Sequence, residues 1–356
     1  MLRCVAPSRS TVGKVLFMTF FSKHGLFQKF RFTQRFFFVA AVVVLLVLGG
    51  VLFLVTCAIT DQAEERGAHL KIGFSPDWEY GSRKKLAHKL TNQAPVELTK
   101  VVEYLNTEYQ PDLVVGGGDY VESSAVKPEK AKQQLAEINA IFKRLKAPRM
   151  YALGNHDMRS LSKADVMDIL GIPAAHSVKD KGAWRVVVFD TNFNQADDSD
   201  RNVKSYTVGY VSQKELNWLD QALDTDRPTI VFSHHSPINT HNIENIVTAN
   251  IVNADQVRAL FERHKNVIAV VSGHTPQPQY QEINGIGYFV GDTLVNESGL
   301  GAFATIDLWY NPFSTRAEVV FEHYGRNRQS YSMISHMVRD RFENGMRMTK
   351  KFLFEE

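Results

Sequence analysis

Tyr151-Ala-Leu-Gly-Asn-His-Asp157 is the stretch whose reading decides the fold. With Arg149 and Met150 it forms a short, mostly apolar run that a glycine ends, and three polar side chains follow at once. A run of that length stopped by glycine reads as a buried strand entering a turn. In α/β folds the residues just beyond the carboxyl end of such a strand line the ligand site. Taken alone, Gly-Asn-His-Asp is an unremarkable turn. Its weight comes from what stands on either side.

Outward from this stretch, strand and helix patterns alternate. His69–Pro76, Asp112–Gly118 and Trp184–Phe189 read as apolar strands, as do Thr229–Ser233 and Val267–Ser272. Val96–Tyr109, Pro128–Lys146 and Asn253–Lys265 carry apolar residues at helical spacing. Ser212-Gln-Lys-Glu215 has the form of a capping box opening a further helix through Leu216, Leu219 and Leu223. From residue 285 the chain turns to consecutive strands, 285–291, 302–310 and 317–323, and a basic amphipathic helix is predicted over about 330–350, closing the chain at 329–356. Buried parallel strands followed by a more antiparallel section predict one α/β domain with two packed sheets over residues 61–328.

Several of these strands end in groups able to bind metal. Asp77 follows the first, Asp119 the second, Asn155 and His156 the third, His234 and His235 the Ile230–Ser233 run, and His274 the Val270–Gly273 run. A lone Asp after a strand is usually a turn or helix cap, and paired histidines are more often structural than ligating. Five polar clusters in order, each at a strand end, make coincidence a poor account. Carboxylates, an amide oxygen and imidazoles suit a hard or borderline divalent ion such as Mn, Fe, Zn or Mg.

Over residues 69–324 the chain resembles the calcineurin-like metallophosphoesterase superfamily. The ordered motifs are Asp77-Trp-Glu79, Gly118-Asp119, Gly154-Asn155-His156-Asp157, His234 and Gly273-His274. Ser272-Gly-His-Thr-Pro-Gln-Pro-Gln-Tyr280 and Glu215-Leu-Asn-Trp-Leu219 look like the tartrate-resistant purple acid phosphatases within it. The resemblance implies a four-layer α/β/β/α sandwich of two mixed sheets with one or two divalent metal ions at its centre. It implies that Asp119 bridges two metals and that Asn155, His234 and His274 complete one shell. It also implies phosphate mono- or diester hydrolysis by a metal-activated hydroxide, with His156 protonating the leaving oxygen. Glu122 stands where some members carry an acid that orients that histidine. Asp157 is expected to cap the loop, and His235 to lie in the outer shell or to touch the substrate phosphate.

The other metal position departs from the family pattern. It ordinarily draws on Asp-x-His and on the second histidine of Gly-His-x-His. This chain keeps Asp77 but has Glu79 for one histidine and Pro276 for the other. A carboxylate at 79 still offers oxygen ligands and favours harder ions, whereas proline offers none. The same departures motivate a different reading, a sensor or scaffold that keeps the fold without turnover.

The termini add expectations about place. Residues 1–60 hold seven of the 41 basic residues, Arg3, Arg9, Lys14, Lys23, Lys29, Arg31 and Arg35, and none of the 38 acids, which leaves 34 basic against 38 acidic residues beyond them. The sequence pI of about 8.7 thus belongs to the tail. It is not the footprint of a nucleic-acid-binding face, and no nucleic-acid partner is expected. Phe36–Thr60 is uncharged and long enough to span a bilayer, after a basic tail over residues 1–35. Basic residues before it and Asp61, Glu64 and Glu65 after it predict a single-pass membrane protein with a cytoplasmic amino terminus and an extracytoplasmic domain. The partners expected are thus a phosphoester substrate and the lipid bilayer. Cys4 and Cys57 both precede the domain, which is expected to hold no disulfide and no thiolate metal site.

Overall fold

The computed structural model describes residues 44–49, 51, 67–201, 208–239, 250–325 and 328–337. The chain divides into two units, Met1–Gln62 and Ala63–Glu356. In the first, the described residues are helical at 44–49 and 51. Among the described residues no helix is long and apolar enough to cross a membrane. Most of the span predicted at 36–60 lies outside the described residues, as does the tail before it.

Among the described residues, the second unit is built from twelve strands and five α-helices. The strands are β1 (Ala68–Ser75), β2 (Leu113–Gly116), β3 (Arg149–Tyr151), β4 (Ser177–Lys181), β5 (Trp184–Val188), β6 (Thr229–Ser233), β7 (Val267–Ser272), β8 (Gln279–Ile283), β9 (Ile286–Val290), β10 (Phe303–Asn311), β11 (Arg316–Tyr324) and β12 (Gln329–His336). The helices are α1 (Ala94–Tyr104), α2 (Pro128–Phe142), α3 (Lys163–Leu170), α4 (Gln213–Leu223) and α5 (Ala254–Arg263). Strand order is β12-β11-β10-β1-β2-β3 in one sheet and β4-β5-β6-β7-β9-β8 in the other. Both are mixed. β1, β2 and β3 run parallel while β10, β11 and β12 add antiparallel edges, and β5, β6, β7 and β9 run parallel between antiparallel β4 and β8.

Side-chain alternation explains the layering. In β2, Leu113 and Val115 enter a core with Phe74, Val188, Phe232 and Phe289, which draws on both sheets, while Val114 between them packs with Leu98, Leu135 and Phe142 of α1 and α2. In β6, Ile230 and Phe232 face that shared core and Val231 packs with Leu219 of α4 and Phe261 of α5. A strand buried on both faces reads as an unbroken apolar run, which is why these segments were legible as strands. The result is an α/β sandwich of two mixed sheets with helices on the outer faces.

The chain's end differs from its pattern. Where the sequence predicts an amphipathic helix from about residue 330, Gln329–His336 is a strand paired antiparallel along the whole edge of β11. It inserts Met333 into the inter-sheet core, where Met337 also lies. The eight residues Gln-Ser-Tyr-Ser-Met-Ile-Ser-His include three serines, which favour caps and turns over helix interiors, and Tyr331 and Ile334, which favour strands. The basic residues that suggested a helix fall after 337, outside the described residues. The domain boundary expected at 328 therefore moves to at least 337.

Three further elements went unread. α3 opens with a true capping box, Ser162 with Asp165. At α4, Ser212 accepts from the Glu215 backbone N–H, but the Glu215 carboxylate instead accepts from the backbone N–H of Asp190 and meets His176. β4 and β8 are edge strands with few buried positions, so they lack the apolar signal of the inner strands.

Candidate functional site

Each expected site residue lies just beyond the carboxyl end of a parallel strand. Asp77 and Glu79 follow β1, Asp119 and Glu122 follow β2, and Asn155 and His156 follow β3. His234 and His235 follow β6, and His274 follows β7. β1 and β2 of one sheet and β6 and β7 of the other thus aim their ends at one place.

The backbone is forced into unusual shapes to do so. Asp77, Glu79, Asp119 and His274 have φ of 52, 44, 53 and 68°. A non-glycine residue in this left-handed region costs about 1–2 kcal/mol, and such strain gathers at functional sites. Gly154 must lack a side chain, because a Cβ there would stand 2.1 Å from the Asp119 carboxylate and backbone N.

Asp157 holds the floor. Its Oδ2 accepts the N–H groups of Asp119 and Gly154 at 3.1 and 3.0 Å, and its Oδ1 those of Tyr120 and Val121 at 2.6 and 3.1 Å. Burial and the Asp119 charge push Asp157 up to about 7. It acts through the loop, as its expected capping role requires.

Around His234 four donors converge. Its Nε2 lies 3.2 Å from Asp119 Oδ2, 3.2 Å from Asn155 Oδ1 and 3.0 Å from His274 Nδ1. One imidazole nitrogen carries at most one proton, so it can donate to only one of three such atoms. A shared cation satisfies all of them. His234 Nδ1 meets the Gly117 carbonyl at 2.8 Å, which fixes the Nε2 lone pair toward the cluster in the manner of ligating histidines. All four residues are buried or nearly so. These residues fit a divalent ion.

The electrostatics carry the same sign. Burial favours the neutral acid at Asp119, but the charges of His234 and His156 outweigh it and hold this carboxyl well below the usual range. His234 is pushed up to about 9, Asp119 overcoming the effect of burial. His274 is driven well down by burial and then by His234. Burial, helped by Asp119 and Glu79 and opposed by His234, lifts Asp77 well above the ordinary range. The carboxylate of Asp119 and the imidazoles of His234 and His274 thus titrate as one buried cluster, in which a bound cation would displace the proton on His234.

His156 stands beside this cluster, with Nε2 3.9 Å from Asp119 Oδ2 and its backbone N–H donating to Asp119 Oδ1 at 2.7 Å. Its Nδ1 lies 2.6 Å from Glu122 Oε2, and Glu122 Oε1 accepts the Ser124 N–H at 2.9 Å. Glu122 is therefore a buried carboxylate aimed at His156, not a solvated loop residue. His235 is wholly buried. Its Nδ1 meets Thr191 Oγ1 at 2.7 Å, its ring lies 4.4 Å from that of His274, and its Nε2 makes no hydrogen bond among the described residues.

At the other metal position the donor set is incomplete, although one ligand atom each of Asp77, Asp119 and His234, and of Glu79, Asp119 and His156, lie within 4.8 Å of one another. Both oxygens of Asp77 accept the His274 N–H, at 3.2 and 2.9 Å. Glu79 is 2% exposed, and its Oε1 receives the Lys89 ammonium at 2.5 Å. Its Oε2 has no hydrogen-bond partner among the described residues. Pro276 brings no side-chain donor. Sequence reasoning missed Lys89 altogether. It sits in an irregular segment, ten positions from its partner, and no periodicity or motif marks it.

With this geometry in hand, comparison with known proteins is informative. The sequence pattern of the calcineurin-like phosphoesterases matches residues 88–278. The chain is 28% identical over 179 residues to a glycerophosphodiester phosphodiesterase of Enterobacter lignolyticus, which covers 49% of this chain and 59% of that protein. It is 26% identical over 210 residues to a protein of Rhodopseudomonas palustris described as a probable cyclic nucleotide phosphodiesterase, covering 56% of this chain and 70% of that one. The fold is similar to that of a dimetal phosphatase from Danio rerio, with a TM-score of 0.59 at 14% identity over 75% of this chain and 99% of the other. The matched pattern spans more than half of the sequence and includes Asp119, Asn155, His156, His234 and His274, so the chain belongs to the calcineurin-like phosphoesterase family.

Proposed function

We propose that this protein hydrolyses phosphate esters, diesters foremost, at a divalent ion held by Asp119, Asn155, His234 and His274. The observation that carries this reading is the convergence of Asp119, Asn155 and His274 on one nitrogen of His234, within 3.0–3.2 Å. When bound, the ion supplies a water of lowered pKa and neutralises charge on the phosphate oxygens. The chain's residues do the rest. His156 Nε2, 3.9 Å from Asp119 Oδ2, is the group that would protonate the leaving oxygen, and Glu122, 2.6 Å from its Nδ1, orients the ring. The phosphodiester preference rests on the two curated relatives, both phosphodiesterases by description. The intact His156–Glu122 pair favours turnover over a scaffold role, since a scaffold has no need of an oriented proton donor. The test is hydrolysis of bis(p-nitrophenyl) phosphate and p-nitrophenyl phosphate by the purified full chain with added Mn²⁺. Activity that needs the metal and disappears in Asp119→Asn supports the proposal, and full turnover by that variant defeats it.

The same proposal places the enzyme at a membrane, with residues 36–60 as its anchor, the amino terminus in the cytoplasm and the domain on the other side. What supports this is the uncharged length of Phe36–Thr60 and the basic residues that precede it. Retention in membranes after alkaline carbonate extraction, with the domain shielded from protease added on the cytoplasmic side, is the expected result. Release by carbonate would remove the anchor from the account.

A further inference from the structure

We propose that the hydrolytic centre holds one metal ion and that the Lys89 ammonium, seated on Glu79, takes the place of a second, binding the substrate's phosphate oxygens opposite that ion. The inference rests on the proposed function and names how its phosphate is held.

Four observations carry it. Position 276 is proline, so one donor of a second ion's shell is missing. The donors that remain are compromised: Asp77 is engaged through both oxygens by the His274 N–H, and Glu79 through Oε1 by Lys89. An ion placed here would share the Glu79 carboxylate with an ammonium 2.5 Å away. Two cations on one carboxylate repel in a buried setting, where charge is poorly screened. Lastly, Lys89 is a built feature. Its backbone bridges Leu86 and Asn296, its N–H donates to the Leu86 carbonyl at 2.9 Å, and the Leu90 N–H donates to Val295 at 2.9 Å.

Exposure indicates which partner meets the ligand. The Lys89 side chain is 16% exposed and that of Glu79 2%. Glu79 is the buried counter-ion and Lys89 the accessible charge. Its field also reaches Asp119, Glu122 and His274, which places the ammonium on the margin of the cluster that holds the ion. A compact ammonium with three donors is well suited to a phosphate's non-bridging oxygens. The unpartnered Oε2 of Glu79 is an atom that a second ion could claim, and the experiment below addresses it directly.

The full chain is loaded with Mn²⁺, freed of excess by dialysis, and examined by metal analysis and electron paramagnetic resonance. One Mn per chain with the six-line spectrum of an isolated ion is expected. Glu79→Gln should keep that one ion with unchanged affinity. The paired variant Lys89→Met with Glu79→Gln removes both charges together, should also keep the ion, and should bind inorganic phosphate at least about tenfold more weakly, the loss of one charge-assisted contact. Lys89→Arg should recover most of that affinity. Two Mn per wild-type chain with an exchange-coupled spectrum overturns this inference and leaves the proposed function standing. Loss of the ion in Glu79→Gln overturns it too, as does unchanged phosphate binding in the paired variant. No bound Mn at all overturns the proposed function and this inference with it. Should the paired variant fail to fold, the wild-type stoichiometry and spectrum still decide the number of ions, and phosphate binding by Lys89→Gln alone decides the role of the ammonium.

Discussion

Glu122 Oε2 lies 2.6 Å from His156 Nδ1, both groups buried at the mouth of the donor cluster. The contact joins two loops that follow neighbouring parallel strands, β2 and β3. It gives a titratable pair its orientation and its own pH signature.

Burial works to raise the Glu122 carboxyl, but the hydrogen bond and charge of His156 outweigh it and bring the carboxyl to about 2, against an ordinary 4.5. A carboxyl depressed in the folded state stabilises the fold above the unfolded value and loses that contribution as pH falls through the folded one. The stability difference between wild type and Glu122→Gln should be flat above pH 4.5 and shrink toward pH 2. Its full size is at most about 3.5 kcal/mol, from the shift converted at 1.36 kcal/mol per unit. Urea titrations across that range check it, and a difference that persists unchanged at pH 2 would refute the pairing. In turnover, the same variant should lose about 10–100-fold in kcat, the usual effect of removing an orienting partner.

His234 is pushed up to about 9, yet a ligating imidazole must be neutral. Metal uptake near neutral pH should therefore release about one proton per ion, and the apparent affinity should rise roughly tenfold per pH unit until pH 9. Calorimetry of Mn²⁺ binding in buffers of different ionisation enthalpy measures the proton directly. Uptake with no proton release at pH 7 would contradict the assignment of His234 as a ligand.

Removing Asp157 should disturb the loop before it disturbs chemistry. Asp157→Ala leaves four backbone N–H groups, those of Asp119, Tyr120, Val121 and Gly154, without their acceptor. At about 1 kcal/mol or more each, the loss should approach 4 kcal/mol and lower the melting temperature by several degrees. A variant as stable as wild type by thermal denaturation would show that the loop has another support.

The last strand offers a test of the carboxyl-terminal fold. Met333 is buried in the inter-sheet core on β12. Met333→Ala should cost about 2–4 kcal/mol, while a change at exposed Ile334 on the opposite face should cost little. Equal, small effects at both positions would mean that the strand does not pack as described.

The sequence alone carried the inner strands and the ligand-bearing turns. The inner strands of a two-sheet sandwich are buried on both faces, so their composition is set locally: Val114-Val-Gly and Ile230-Val-Phe-Ser admit few other readings. Asp119, Asn155, His156, His234 and His274 were legible because each sits one to five positions past such a strand, where topology brings ends together. β4, β8 and β12 are edge or partly exposed strands whose alternation is weak, and β12 was read as helix because charged residues beyond it dominated the window.

What only the tertiary structure decided is the pairing of charges between segments that have no local signal. Glu215 serves Asp190 and His176 in place of its own helix start, Glu122 serves His156, and Lys89 meets Glu79 through a turn held against Asn296. Hydrogen-bonding reach is about 3 Å, far shorter than any regularity in the order of residues, so strand patterning reveals where donors gather but not which one another group has already claimed. The character of the metal centre depends on that second question, because a carboxylate bound to an ammonium is no longer a free ligand.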